Sequence, residues 1–236
     1  MSKVVSGEKA VEKIRSGAVI AVNGFFGMYP DAAVAALEKR FLETGEPGEL
    51  TLWCAGGTGS RGRKVFSDRL SHKGMVKRVV MGHWEASNEF GRMALDEEIE
   101  AYNFPMGTIS HMIRGAASGS PAIITEIGLK TFVDPRLEGG RLNKRSEESL
   151  VELTGIDGRE YLLYRTPKFD ACFIRGTSAD HKGNVTMEKE AALIDALAVA
   201  QATKANGGTV IVQVERLTEN KANPQDVVIP FIAVDY

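Results

Sequence analysis

The amino-acid sequence reads as an α/β protein, an open and mostly parallel sheet flanked by helices, with a β-hairpin inserted late. Three observations point there. VIAVNG, LTLWCAGG and KRVVMGHW are short, nearly continuous apolar runs, the pattern of strands covered on both faces rather than half-exposed ones. Segments of helical length separate them, which indicates βαβ units. Finally, Asp157-Gly158 stands between two β-rich runs in LVELTGIDGREYLLYRT and specifies a tight hairpin.

The elements follow in chain order. VIAVNG is the first strand, and Pro30 opens a helix over DAAVAALEKRFLET that Gly45 closes, the usual polarity of Pro at the start and Gly past the end. LTLWCAGG is the second strand, RKVFSDRLSHKG a helix and KRVVMGHW the third strand. SNEFGRMALDEEIEAY predicts a third helix, NFPMG a corner and TISHMIRGAASG another helix. From about residue 130 to 168 the chain makes an excursion, turn-rich at first and then the hairpin. FDACFIRG returns to buried-strand character, and MEKEAALIDALAVAQATKANGG predicts a long helix stopped by Asn206-Gly207-Gly208. TVIVQVERL is the next strand, and VVIPFIAVDY reads as a closing buried strand. There is no internal repeat.

Composition narrows the function classes. With 43% hydrophobic and 25% charged residues the chain has a globular rather than a disordered composition. Its 29 Lys and Arg balance 31 Asp and Glu, so no basic excess marks a nucleic-acid surface. The charged N-terminal stretch MSKVVSGEKAVEKIRSG lacks a signal-peptide core, and no apolar run reaches membrane-spanning length. Cys54 and Cys172 each lie in an apolar run and read as reduced core thiols, which fits a cytoplasmic protein. His72, His83, His111 and His181 have no ligand spacing, so no metal site is expected. Ser71-His72 and Ser110-His111 are sequence neighbours, the wrong geometry for a Ser-His couple, and read as surface helix residues.

Three strand ends carry candidate chemistry. NGFFGMYP places Gly24, Phe25, Phe26 and Gly27 where open α/β sheets bind ligands. Two consecutive Phe cannot both face one core, so one of them is expected to line a pocket. Gly57, Gly59 and Gly62 in GGTGSRG match G-x-G-x-x-G, yet they follow the second strand and lack a clearly placed acidic partner; Glu85 is the nearest. That stretch is therefore weighed as a nicotinamide loop, a structural turn, or a phosphate contact in which Arg61, Arg63 and Lys64 meet a nucleotide-bearing ligand. RGTSADHKGNV, with Asp180 and Gly183-Asn184, admits a purely structural reading as a side-chain-stabilised turn.

Five separated segments, in order, resemble the N-terminal half of a family I CoA-transferase of the propionate and acetate branch. They are GFFGMYPDAAVAALEKRFLETGEPG, GHWEASNEFGRMALDEEIEAYN, GLKTFVDPRLEGGRLN, RGTSADHKGNVTMEKE and NGGTVIVQVERL. The resemblance implies one of two related α/β halves, fused or on separate subunits, that together move CoA from an acyl-CoA to a free carboxylate. It implies a glutamate nucleophile and a glutamyl-CoA thioester, the glutamate lying in the second half, which this sequence does not contain. No catalytic residue is therefore expected on this chain, and Glu85, Glu89, Glu126, Glu188 and Glu190 are assigned to helix faces and turns.

By the same resemblance, Gly24, Phe25, Phe26 and Gly27 form the loop beside the acyl group, and Met106 and Gly107 of NFPMG line the pocket. Relatives carry glutamine at the position of Met106, where its amide helps to hold an oxyanion; methionine has no such donor. Gly57, Gly59 and Arg61 remain the candidates for CoA contact. CoA is implied as substrate, with no tightly bound cofactor. The implied partners are the second half, acyl-CoA and small acids, within a homo- or hetero-oligomer. Two other readings stand beside it: a non-catalytic scaffolding half, and a sugar-phosphate isomerase-like enzyme of related fold.

Overall fold

The computed structural model describes residues 3–24, 27–57, 59, 65–219 and 221–236. Phe25, Phe26, Arg61, Gly62, Arg63 and Lys64 lie outside the described residues. In chain order the elements are α1 (Gly7–Val11), β1 (Val19–Val22), α2 (Asp31–Thr44), β2 (Leu50–Gly57), a 3-10 turn (Phe66–Leu70), β3 (Val76–His83), α3 (Asn88–Leu95), β4 (Glu100–Asn103) and α4 (Met106–Ala117). There follow β5 (Ala122–Thr125), β6 (Val151–Ile156), β7 (Arg159–Arg165), β8 (Ala171–Asp180), β9 (Val185–Thr186), α5 (Ala196–Ala205), β10 (Thr209–Thr218), β11 (Val227–Ile229) and a 3-10 turn (Phe231–Ala233).

The main sheet runs β11-β9-β8-β1-β2-β3-β4, with β10 also paired to β8. All pairs among β10, β8, β1, β2, β3 and β4 are parallel, and β9 and β11 are antiparallel additions. The chain moves outward from β1 through β4 and then returns to lay β8 on the other side of β1. Strand order therefore reverses at β1, and such a switch point opens a crevice outside the carboxyl ends of the strands. Gly24 and Gly27 follow β1 at that place. One face of the sheet packs on α1, α2 and α3 through residues such as Leu37, Phe66 and Phe90. The opposite face packs on α4, α5 and the hairpin through Met112, Val199 and Tyr164. Among the described residues no helix is long and apolar enough to cross a membrane.

Local chemistry accounts for the regular elements. Gly45 ends α2 in the left-handed region (φ 74°) and returns its N–H to the Phe41 carbonyl at 2.7 Å. At the hairpin both Asp157 (φ 50°) and Gly158 (φ 76°) have positive φ, as a two-residue turn with matching twist requires. The hairpin strand β7 pairs with β6 on one side and β5 on the other in a separate three-stranded sheet. Cys54 and Cys172 are buried and unpaired, and burial pushes both thiols up to about 12.

Four expectations need correction. The helix read over SNEFGRMALDEEIEAY stops at Leu95; Glu97 turns left-handed (φ 55°) and Glu100–Asn103 become β4, with the Glu100 carboxylate drawn into the sheet by Arg78 at 2.6 Å. RKVFSDRLSHKG yields only the 3-10 turn among its described residues. The long helix read from Met187 begins only after Asp195, because Glu188 and Glu190 are held against β8 by Ser178 (2.6 Å) and Arg175 (3.0 Å), and Ile194 has φ 47°. The closing segment is not one buried strand: β11 ends at Ile229, before Pro230, Ile232 is 75% exposed in a 3-10 turn, and only then does the chain extend along β10.

Candidate functional site

The carboxyl edge of the sheet is shaped by close approaches that exclude side chains. A Cβ on Gly24 would lie 2.7 Å from the Tyr29 ring and 3.1 Å from that of Phe66. Those two rings stack with centroids 4.5 Å apart, and the Tyr29 hydroxyl donates to the Gly59 carbonyl at 3.1 Å. Gly59 has φ +135°, and a Cβ there would meet the Ala86 carbonyl oxygen at 2.5 Å and Asp68 Oδ2 at 2.7 Å. Both conformation and space therefore require glycine at this position. Gly57 faces His83 across the β2–β3 pair, and a Cβ on it would be 3.0 Å from Nδ1.

Beneath this edge, Asp31 accepts two hydrogen bonds from Arg69 (2.9 and 2.8 Å) and one from the Phe66 amide (2.6 Å). The Arg69 contacts hold its carboxyl below the usual range against the opposing effect of burial. Glu38 joins Arg69 at 3.3 Å and His72 at 2.9 Å, so His72 fastens the 3-10 turn to α2 rather than standing free on the surface. Asp68 is buried and accepts a hydrogen bond from Ser87 Oγ. Burial pushes this carboxyl up to about 6; the Ser87 bond opposes the shift and the charge of Glu89 adds to it.

A folded-state pKa above the ordinary carboxylate value means that the native state binds more protons between about pH 4 and 6, so this group's contribution to stability falls as pH rises through that window. Asp68→Asn keeps an acceptor for Ser87 and removes the buried charge. It is expected to raise stability at pH 7 by about 1 kcal/mol and to flatten the pH 4–6 dependence. Urea unfolding of both proteins across pH 4–8 checks this, and identical curves would contradict it.

On the other face of the sheet, the start of α4 sits on β3. A Cβ on Gly82 would be 2.4 Å from Met106 Cγ, 3.0 Å from Met106 Cα and 2.6 Å from the Ala55 carbonyl oxygen. The first hydrogen bond of α4 runs from the Ile109 amide to the Pro105 carbonyl. The amides of Met106, Gly107 and Thr108 are left over, and no side chain caps them. Thr108 is 2% exposed and its Oγ1 is a buried atom without a partner among the described residues. His83 Nδ1 and Asn103 Oδ1, at the carboxyl ends of β3 and β4, are in the same condition. Buried polar atoms are nearly always paired in native proteins; of the three, Thr108 Oγ1 can donate to an oxygen-bearing group, whereas Asn103 Oδ1 only accepts and His83 Nδ1 does either according to its tautomer. Free amides at the positive end of a helix add to that capacity.

The structure brings Gly24, Gly27, Gly57, Gly59, Met106 and Gly107 to one edge, with Gly24 on the α2 face and Met106 on the α4 face. The Asp180 turn, by contrast, is structural. Its carboxylate accepts from the amides of Lys182 and Asn184 (2.9 Å each), from Asn184 Nδ2 (2.8 Å) and from the Ala222 amide (3.2 Å). Burial works against its ionisation, but these bonds hold it below the usual range. Ser178 and Thr186 likewise bring Glu188 down to about 2. Gly82, His83, Asn103 and Thr108 did not stand out as site residues; the Gly-His pair closing KRVVMGHW was the available signal, and Thr108 had none.

A family model for coenzyme A transferase matches residues 4–236. The chain belongs to the coenzyme A transferase family. Among members, caffeate CoA-transferase of Acetobacterium woodii is 39% identical over all of this chain, which spans 45% of that protein. The acyl-CoA transferase YdiF of Escherichia coli O157:H7 superposes with a TM-score of 0.95 at 37% identity, over 99% of this chain and 46% of its own, and has also been solved as a thioester complex with CoA. The acetate CoA-transferase subunit alpha of Escherichia coli (strain K12) is 28% identical over all of this chain and 96% of its own length. This coenzyme A transferase chain thus spans about half of its single-chain relatives and nearly all of a separate alpha subunit.

Proposed function

We propose that the chain is the α-type half of an acyl-CoA:carboxylate CoA-transferase acting on short-chain acids of the acetate and propionate class. The observation that carries this reading is the uncapped start of α4, with Met106 and Gly107 seated on Gly82 and the Thr108 hydroxyl buried without a partner. In this reading the amides of Met106, Gly107 and Thr108 receive the oxygen that becomes negative when the thioester or the incoming carboxylate is attacked. Gly24 and Gly27 are assigned to the acyl group. Gly57 and Gly59 are assigned to the phosphate-bearing part of CoA, which is a substrate rather than a resident cofactor.

Covalent catalysis needs a free carboxylate, and Glu188 and Glu190 are committed to Ser178 and Arg175. The glutamate that carries the glutamyl-CoA thioester is assigned to a second half, fused or separate, in an oligomeric cytoplasmic enzyme. The test is CoA exchange between acetyl-CoA and propionate, with caffeate as a rival acceptor. Exchange is expected with both halves present and not with this chain alone; turnover by the lone chain would overturn the proposal.

Thr108→Val supplies a second check. It is nearly isosteric and removes an unsatisfied hydroxyl, so stability is expected to hold or rise, while kcat/KM falls about tenfold through loss of a ligand contact. A variant that is more stable and equally active would restrict Thr108 to packing.

A further inference from the structure

The crevice between β1 and β8 has an arginine at its mouth. The last β1–β8 pair joins Val22 to Phe173, and both side chains belong to the core on the α1, α2 and α3 face. Two residues further along each segment stand Gly24 and Arg175, and side-chain alternation along β8 returns Arg175 to that same face. On its other side Arg175 is level with Gln213 of β10, whose side chain meets the first amides of α2. The arginine therefore stands at the switch point of the sheet, beside Gly24.

Its Nε is fixed by the fold. It donates to both oxygens of Glu190, at 3.0 and 3.1 Å, and the Thr177 hydroxyl donates to the same carboxylate at 3.3 Å. The Glu190 side chain is only 3% exposed and Thr177 is fully buried. Neither Nη nitrogen of Arg175 has a partner among the described residues, and neither is a buried unpaired atom, so the outer fork is reachable from outside. Two arginines of similar burial show what that leaves open. Arg69 meets both Asp31 and Glu38, and Arg78 meets both Glu100 and Glu148. Arg175 has the first carboxylate and lacks the second.

We propose that the Arg175 fork receives the carboxylate of the free acid substrate; the inference rests on the proposed function. A planar fork matches the two oxygens of a carboxylate, which it binds through parallel hydrogen bonds. Charge selects the same class of ligand. Glu190 already offsets much of the guanidinium charge, and Glu215, bonded to Lys189 at 2.9 Å, is a further carboxylate within reach of Arg175. A singly charged acid suits that balance, whereas a phosphate carrying about two charges is repelled by both glutamates.

The experiment has two arms. In the first, the enzyme assembled from this chain and the second half carries Arg175→Lys, which keeps the charge beside Glu190 and removes the fork. KM for acetate and propionate is expected to rise about tenfold or more, while kcat and KM for acetyl-CoA stay within about twofold of the parent. In the second, butanedione modifies the arginines of this chain, and peptide mass spectrometry follows Arg175. Propionate is expected to slow its modification severalfold, and propionamide, which carries no charge, to leave it unchanged.

An unchanged acid KM in Arg175→Lys, or modification indifferent to propionate, would overturn the inference. Stronger protection by inorganic phosphate than by propionate does the same, as does full protection by the second half with no acid present, since a side chain then fills the fork. If Arg175→Lys does not assemble, the protection arm decides. An assembled enzyme that moves no CoA while propionate protects Arg175 refutes the functional reading alone; one that moves CoA with Arg175 indifferent to propionate refutes the carboxylate site alone.

Discussion

Met106→Gln, in an enzyme containing both halves, is expected to raise kcat with acetate or propionate by about ten- to a hundredfold. Loss of one oxyanion donor ordinarily costs about a hundred- to a thousandfold, and on the proposed function the remaining amides of the α4 turn would already contribute. Met106 is the first residue of α4, is 38% exposed and lies against Gly82, with the Gly107 and Thr108 amides alongside. Glutamine has the same unbranched reach and adds an N–H₂ donor, so stability should not move. Steady-state kinetics with acetate, propionate and caffeate reads the effect. An unchanged or lower kcat with the small acids, together with poorer use of caffeate, would mean that the thioether shapes the pocket for a more apolar acid and the backbone amides carry the oxyanion unaided.

Gly82→Ala has the largest effect expected on both stability and catalysis. Two of the atoms that the new methyl group would meet, the Ala55 carbonyl oxygen at 2.6 Å and Met106 Cα at 3.0 Å, belong to backbone. Either β2 or the start of α4 has to shift, and overpacking of that kind costs about 1–3 kcal/mol. On the proposed function, displacing α4 by even about 1 Å would take its amides off the reacting oxygen, and such misplacements lower turnover about a hundredfold. The fitting control is Gly91→Ala in α3, where nothing lies within 4 Å of the new Cβ. That change should stabilise by about 0.5–1 kcal/mol through helix propensity alone. Denaturant unfolding of both variants beside CoA exchange gives the comparison; a Gly82→Ala protein of parental stability and activity would refute the packing argument.

What could be read in advance follows the range of the interaction. The parallel strands were legible because burial on both faces leaves its mark on each strand separately, and Pro30, Gly45 and Asp157-Gly158 act within a few residues of themselves. The failures are tertiary. EAYN carries a glutamate that looks like helix surface until Arg78, on the neighbouring strand, turns it inward. MEKEAALID has a helical composition, yet Glu188 and Glu190 find better partners on β8 than on their own turn. The site divides the same way. Its glycine corner stood out as a motif at a strand end and Met106 only through the family resemblance, whereas Gly82 matters only because a helix 24 positions later in the chain rests on it. Thr108 looks like any residue of a first helical turn until its hydroxyl is left without a partner.

Gln213 has a consequence for where negative charge can settle. Its Oε1 accepts the amides of Ala32 and Ala33, at 2.9 and 3.1 Å, at the head of α2. Both α2 and α4 are among the helices that begin at this edge of the sheet, each with a partial positive charge there. In α2 the first-turn amides are met by the Gln213 oxygen and the Asp31 carboxylate lies in the same turn, while the first turn of α4 has no acidic residue. Among the described residues the edge is therefore electrically lopsided, with uncapped amides at the start of α4 and amides already met by Gln213 at the start of α2.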